Sequence, residues 1–182
     1  RPFGGVIVMV MNDLQKFTRT LYSSERCVIV KVFNYLLINV YLPCAGTVDR
    51  SLIIDDVLND ISNYLAQNSE CTILIGGDFN CDLDGIADAA KLINDFASEN
   101  AVERCDKLTG CQKINTYVNT ALNCGSCIDY FLVSDRSKVV KFDVLDDGSN
   151  LSDHLPIAVE CHCDKVANNF CEGTPRNDKS QQ

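Results

Sequence analysis

The ten residues Cys-Thr-Ile-Leu-Ile-Gly-Gly-Asp-Phe-Asn, positions 71 to 80, constrain this chain more than any other stretch. Thr72, Ile73, Leu74 and Ile75 form a β-favouring run without alternation, the pattern of a strand covered on both faces. Gly76 and Gly77 then remove the side chains, so the backbone turns tightly or approaches a ligand closely. Asp78 and Asn80 follow two residues apart, and in an extended segment positions i and i+2 point to the same side. A carboxylate and an amide are therefore presented together where a buried strand opens into a loop, the place where α/β proteins put their sites. Taken alone, the stretch is equally compatible with a solvated Asp-Phe-Asn turn.

Two later stretches change the balance: Ile128-Asp129-Tyr130-Phe131-Leu132-Val133-Ser134 and Ser152-Asp153-His154-Leu155-Pro156-Ile157. Asp129 shares a strand face with Phe131 and Val133, and a carboxylate on an apolar face is costly unless it is paired. A histidine is the natural partner, and the chain has two, His154 and His162. Pro156 biases Leu155 towards an extended conformation and so sets how the loop leaves His154. A bond from the imidazole to Asp129 would set its tautomer and raise its basicity. An isolated histidine would read as a satisfied core residue; beside Asp153, in this motif, the functional reading prevails.

Together with Arg1-Pro2-Phe3-Gly4-Gly5 and Val40-Tyr41-Leu42-Pro43, these motifs resemble the endonuclease/exonuclease/phosphatase family, the DNase I-like superfamily of metal-dependent phosphodiesterases. Their wording is most similar to the endonuclease domains of non-LTR (LINE-type) retrotransposons. Each motif is short; their order and spacing carry the resemblance, which runs from Arg1 to about Cys163. It implies an α/β fold: a four-layer sandwich of two packed, mostly antiparallel sheets flanked by helices. It also implies roles. Asp78 resembles the residue that orients and activates water, and Asn80 the amide that holds Asp78 or a phosphate oxygen. His154, held by Asp129, would bond the scissile phosphate or act in acid–base transfer. Asp153 would be a metal ligand, with Asp78, Asn80 and His154 as possible further ligands. Tyr41 would approach the phosphate through its hydroxyl, a role as easily filled by an ordinary interfacial tyrosine. Carboxylate, amide and water ligands suit Mg²⁺, with Mn²⁺ as a substitute.

Bulk properties bound these expectations. At 182 residues the chain is expected to form one domain, residues 1–163, followed by a polar tail at 164–182 too poor in apolar residues to order. No apolar run approaches the roughly 18 residues of a membrane span, and nothing reads as a secretory signal. The chain opens in mid-motif and is expected to be a fragment lacking the family's first strands, with their Asn and metal-binding Glu. Net charge is −9 with a pI near 4.6, the wrong sign for a nucleic-acid surface. A nuclease needs only a local basic rim and a cation, so acidity does not exclude one. Eleven cysteines, an odd number spread through strand-like runs, read as buried thiols in a reducing compartment, nucleus or cytoplasm. Cys124-x-x-Cys127 lacks a second pair for zinc, and Cys161-His162-Cys163 is too tight for two ligands.

In chain order, strands are expected at 6–10, 17–22, 27–33, 35–42, 72–75, 102–105, 115–119, 127–134, 138–145 and 155–163. Asp49 is a candidate N-cap for a helix of about four turns carrying Ile53, Val57, Ile61 and Leu65. Ile86, Ala89, Ala90, Ile93 and Ala97 mark a second helix, and 107–113 reads as loop. One position departs from the resemblance: Cys44 stands where many relatives carry an Asn that contacts phosphate. The reading that follows is a DNA-nicking endonuclease with DNA as substrate, a monomer, with a reverse transcriptase possible in the same polyprotein. The alternatives are a catalytically impaired remnant or binding module, or an enzyme for a small phosphoester such as a phosphoinositide.

Overall fold

The apolar runs and alternations resolve into ten strands and three α-helices in a computed structural model that describes residues 5–109, 115–119, 123–146, 148 and 150–163. The strands are β1 (Thr18–Ser23), β2 (Cys27–Val32), β3 (Tyr35–Tyr41), β4 (Thr72–Asp78), β5 (Glu103–Arg104), β6 (Tyr117–Asn119), β7 (Cys124–Ser126), β8 (Asp129–Val133), β9 (Val139–Val144) and β10 (Ile157–Cys161). The helices are α1 (Arg50–Gln67), α2 (Asp88–Glu99) and α3 (Cys105–Leu108). Six strands form one mixed sheet in the order β1-β2-β3-β4-β8-β5, while β9–β10 and β6–β7 form separate antiparallel pairs. Among the described residues only β3 and β4 run parallel, and α1 makes the crossover that a parallel pair requires.

The unalternating run of β4 is explained by what covers it. Ile73 and Ile75 join Ile38 of β3 and Leu132 of β8 in one cluster with Ile54, Leu58 and Ile61 of α1 and Ile93 and Phe96 of α2. Leu74, on the opposite face, packs with Phe131 and Val133 of β8 against Phe142 of β9 and Ile157 of β10. Helices thus cover one face of the main sheet and a β-ribbon covers part of the other. This is an α/β architecture with several sheets flanked by helices, in which the second sheet is a pair of strands among the described residues. At the end of β4, Gly77 has φ +140°, and an added Cβ would collide with the Val40 carbonyl oxygen of β3. Gly77→Ala will therefore destabilise the fold by about 1–3 kcal/mol. An unchanged denaturant midpoint would show that the β3–β4 contact can yield.

Some elements differ from expectation. The expected strand at 6–10 packs Val6 and Val8 on Val28, Val30 and Val32 and leaves Ile7 and Met9 exposed. The segment forms no ladder, however, and the Ile7 carbonyl accepts instead from the Asn39 side chain at 3.0 Å. Asp49 precedes α1 with φ +55°, and its side chain makes no capping bond. The second helix begins at Asp88, leaving Ile86 fully exposed. Cys105, expected at a strand end, starts α3, and β7 was not foreseen. The described cysteines are free, with Cys27, Cys71, Cys81, Cys105 and Cys127 buried, Cys161 half-buried, and Cys44, Cys124 and Cys163 exposed. The polar tail at 164–182, the opening motif up to residue 4 and residues 110–114 lie outside the described residues.

Candidate active site

The ladder of the main sheet places several of the singled-out residues in one row. Tyr41 of β3 faces Asp78 of β4, and Asp78 faces Asp129 at the start of β8. Residues directly opposite in a ladder share a face, so three polar side chains line one end of the sheet on the face away from α1. Asp78 is held locally. Its Oδ1 accepts from the Asn80 amide N–H at 2.8 Å and its Oδ2 from Asn80 Nδ2 at 2.8 Å. Asn80 adopts φ +51°, a left-handed conformation that asparagine tolerates, and its Nδ2 also donates to the Leu42 carbonyl at 2.9 Å. Arg50, the first residue of α1, staples the two loops by donating to the carbonyls of Pro43 and Asn80, both at 2.8 Å.

His154 comes from the loop before β10. Its Nδ1 lies 3.0 Å from Asp129 Oδ2 and 3.3 Å from Oδ1. An ionised carboxylate only accepts, so Nδ1 carries the proton, and among the described residues Nε2 has no hydrogen-bond partner. The Asp129 side chain is 13% exposed and that of His154 is 32% exposed, so the pair is shielded yet reachable. The ring of Tyr117 packs on the imidazole with centroids 5.1 Å apart. Asn150 Nδ2 donates to the His154 carbonyl at 2.6 Å.

Thr116 joins these parts. It is buried, and its hydroxyl oxygen accepts the backbone N–H groups of Ile128 and Asp129, both at 3.0 Å. Its carbonyl accepts from Leu155 N at 2.6 Å, and its own N–H donates to the Ser126 carbonyl at 3.0 Å. One residue thus ties the strand that carries Asp129 to the loop that carries His154. Thr116, Tyr117, Asn150 and Arg50 were not singled out in the sequence. Their partners lie 12 or more residues away, or in loops without periodicity, and no local pattern marks them.

Asp78, Asp129 and His154 each offer a ligand atom within 4.8 Å of the other two, a donor set that fits a divalent cation. Because His154 Nδ1 is engaged by Asp129, the two carboxylates are the groups that would hold it. A cation there supplies neutralisation of the charge that builds on phosphoryl oxygens. Asp153, expected as the metal ligand, is exposed and stands outside this set, with its carbonyl accepting from Val118 N at 2.8 Å. Asp153 lies in the bend just before the β-bridge that pairs His154 with Tyr117.

Burial pushes Asp78 up to about 6, with the Asp129 charge adding to it and the bonds from Asn80 acting against it. A raised carboxyl holds its proton more tightly folded than unfolded. The stability from that proton is full below the ordinary carboxylate range and is lost as pH rises through about 6. A cation must displace the same proton. Mn²⁺ affinity will therefore fall about tenfold per pH unit below 6 and level off above it. Paramagnetic titration from about pH 5 to about pH 8 checks this; an affinity flat across that range would place the cation elsewhere.

Residues 7–154 match the model of the Endonuclease/Exonuclease/phosphatase family, a stretch that holds Tyr41, Asp78, Asn80 and Asp129 and ends on His154. No curated protein matches the chain. Among solved structures, the fold is similar to that of NExo, a 3′ phosphatase from Neisseria bound to a product DNA hairpin, with a TM-score of 0.63 at 15% identity. That similarity covers 76% of this chain and 65% of that one, so the chain spans about two thirds of its length. With a family model matched over most of its length and the family's fold around the matched residues, the chain belongs to the endonuclease/exonuclease/phosphatase family.

Proposed function

We propose that this chain is a divalent-metal-dependent phosphodiesterase that nicks DNA, of the kind found in the endonuclease domains of non-LTR retrotransposons. The observation that carries the reading is the convergence of Asp78, Asp129 and His154 within 4.8 Å at one end of the sheet. Phosphodiester hydrolysis needs a placed base for water, neutralisation of phosphoryl charge and a proton donor to the leaving oxygen. Asp78, oriented through both oxygens by Asn80, orients water and takes its proton. His154, in the imidazolium form that Asp129 stabilises through Nδ1, faces the phosphate and donates from Nε2 to the leaving oxygen. Oxygen donors from two carboxylates favour Mg²⁺, with Mn²⁺ as a substitute. The LINE-like wording of Gly-Asp-Phe-Asn and Ser-Asp-His supports the retrotransposon reading.

A second reading, removal of a 3′ phosphate from DNA, is favoured by the similarity to a 3′ phosphatase bound to DNA. Both reactions use the same base, acid and cation and differ in whether the phosphate attacked is an internal diester or a terminal monoester. The test is supercoiled-plasmid relaxation beside release of phosphate from a 3′-phosphorylated hairpin, each with Mg²⁺ and with EDTA. EDTA-sensitive nicking supports the first reading, and phosphate release without nicking the second. Neither activity, from folded protein with saturating Mg²⁺, would favour a catalytically impaired domain.

A further inference from the structure

We propose that Arg26 and Tyr41 form a second anion subsite beside the reaction centre, which takes a phosphate adjoining the reacting one in a nucleic-acid strand. The inference rests on the site being a nucleic-acid phosphoesterase and names which part of such a substrate it holds. Cys27 faces Val40 across β2 and β3, and Tyr41 N donates to the Arg26 carbonyl at 2.9 Å. Arg26 therefore extends the ladder one residue beyond β2, opposite Tyr41. The row at this end of the sheet then reads Arg26, Tyr41, Asp78, Asp129: a cation, a phenol, a carboxylate and a carboxylate bonded to imidazole. With strands about 4.8 Å apart, the Arg26 backbone lies roughly 10 Å from that of Asp78.

The guanidinium is arranged as an anion receptor. Its central carbon stands 5.6 Å from the centroid of the Tyr41 ring, and Nη1 donates to the Tyr41 carbonyl at 3.4 Å. The cation–π contact and the bond to the Tyr41 carbonyl hold the guanidinium beside the ring, and its remaining donors match the oxygens of a phosphate. Arg26 is half-buried, and among the described residues no carboxylate pairs with it, whereas Lys31, Arg104, Lys107 and Lys141 are each met by Asp or Glu. The chain as a whole carries −9 and the reaction centre adds two carboxylates to the row. An unneutralised guanidinium two strands away offsets that repulsion for a substrate long enough to span both positions. A small phosphoester seated at Asp78 and His154 does not span them; a nucleic-acid strand does.

The experiment is binding of a short fluorescent DNA oligonucleotide in EDTA, by anisotropy, to the full chain and to Arg26→Ala. It is repeated with the internal phosphates replaced one at a time by neutral methylphosphonates. Arg26→Ala is expected to weaken binding about fivefold to tenfold and to reduce the slope of log affinity against log salt by about 0.7–0.9, the loss of one phosphate contact. At one position the methylphosphonate should cost the wild type as much as Arg26→Ala does, and cost the variant nothing further. Arg26→Gln, which keeps a donor towards the Tyr41 carbonyl, should reproduce the loss if alanine disturbs the fold. An unchanged salt slope, or additive losses at every position, overturns the subsite while leaving the enzymatic reading intact. No oligonucleotide binding by the wild type defeats both. If inorganic phosphate binds the wild type and not Arg26→Ala by ³¹P line broadening, while methylphosphonates cost nothing, the site takes free anion and the strand proposal is overturned.

Discussion

Asp78→Ala will lower Mg²⁺-dependent phosphoester hydrolysis by about 10³-fold or more, and His154→Ala by about the same, because each removes a group acting in proton transfer at the reacting phosphate. The two losses will not add. Asp78 takes the proton from water while His154 supplies one to the leaving oxygen, and losing either leaves the other without a completed transfer. Asp129→Asn will fall between wild type and His154→Ala. The asparagine side chain still contacts Nδ1 but can present its amide, which favours the tautomer with the proton on Nε2 and weakens the imidazolium. Single-turnover rates on plasmid and on 3′-phosphorylated hairpin, with circular dichroism confirming the fold, make the measurement. Full activity in His154→Ala would remove the imidazole from the chemistry and reduce its bond to Asp129 to a packing contact.

Thr116→Val will cost about 2–4 kcal/mol of stability, since it leaves the buried N–H groups of Ile128 and Asp129 without their acceptor at almost unchanged volume. The same change loosens the start of β8, and a misplacement of Asp129 on the order of 1 Å is expected to lower turnover about 10²-fold. Thr116→Ser keeps the oxygen and should recover most of both. Chemical denaturation gives the stability, and amide hydrogen exchange at Ile128 and Asp129 reports the lost bonds directly. Unchanged exchange at these two amides in Thr116→Val would show that Thr116 is not their acceptor. Slow turnover with normal exchange would place its effect on the Leu155 side of the junction instead.

The parts of this site that were legible in the sequence are those set by short-range chemistry. An unalternating run of Thr72 to Ile75 predicts burial on both faces because side chains alternate along any strand; α1 and α2 bury Ile73 and Ile75 on one face, while β9–β10 covers the other in part and leaves Leu74 half-buried. Asp78 and Asn80 sit two residues apart, so their bond is closed within one turn. The Asp129–His154 bond crosses 25 residues and was still legible. A carboxylate on an apolar face demands a partner, and the chain offers only two histidines.

What escaped the sequence depended on register and on hydrogen-bond partners that no local pattern encodes. Residues 6–10 are a continuous apolar run, but only Val6 and Val8 pack on the sheet, Ile7 and Met9 are exposed, and an apolar run does not supply a ladder partner. Asp153 and His154 are adjacent in the motif, yet only His154 joins Asp78 and Asp129, while Asp153 is exposed in the bend before it. Thr116 is an unremarked threonine until folding brings two amides from the next strand to its oxygen. Arg26 stands in a turn, and only the pairing of β2 with β3 and of β3 with β4 sets it in line with Tyr41, Asp78 and Asp129. The sequence alone marked Asp78, Asn80, Asp129 and His154 as groups able to carry chemistry, through residue type, short spacing and the resemblance of their motifs. The tertiary structure decided which of them meet, because a shift of one residue in any strand pairing would send each side chain to the other face.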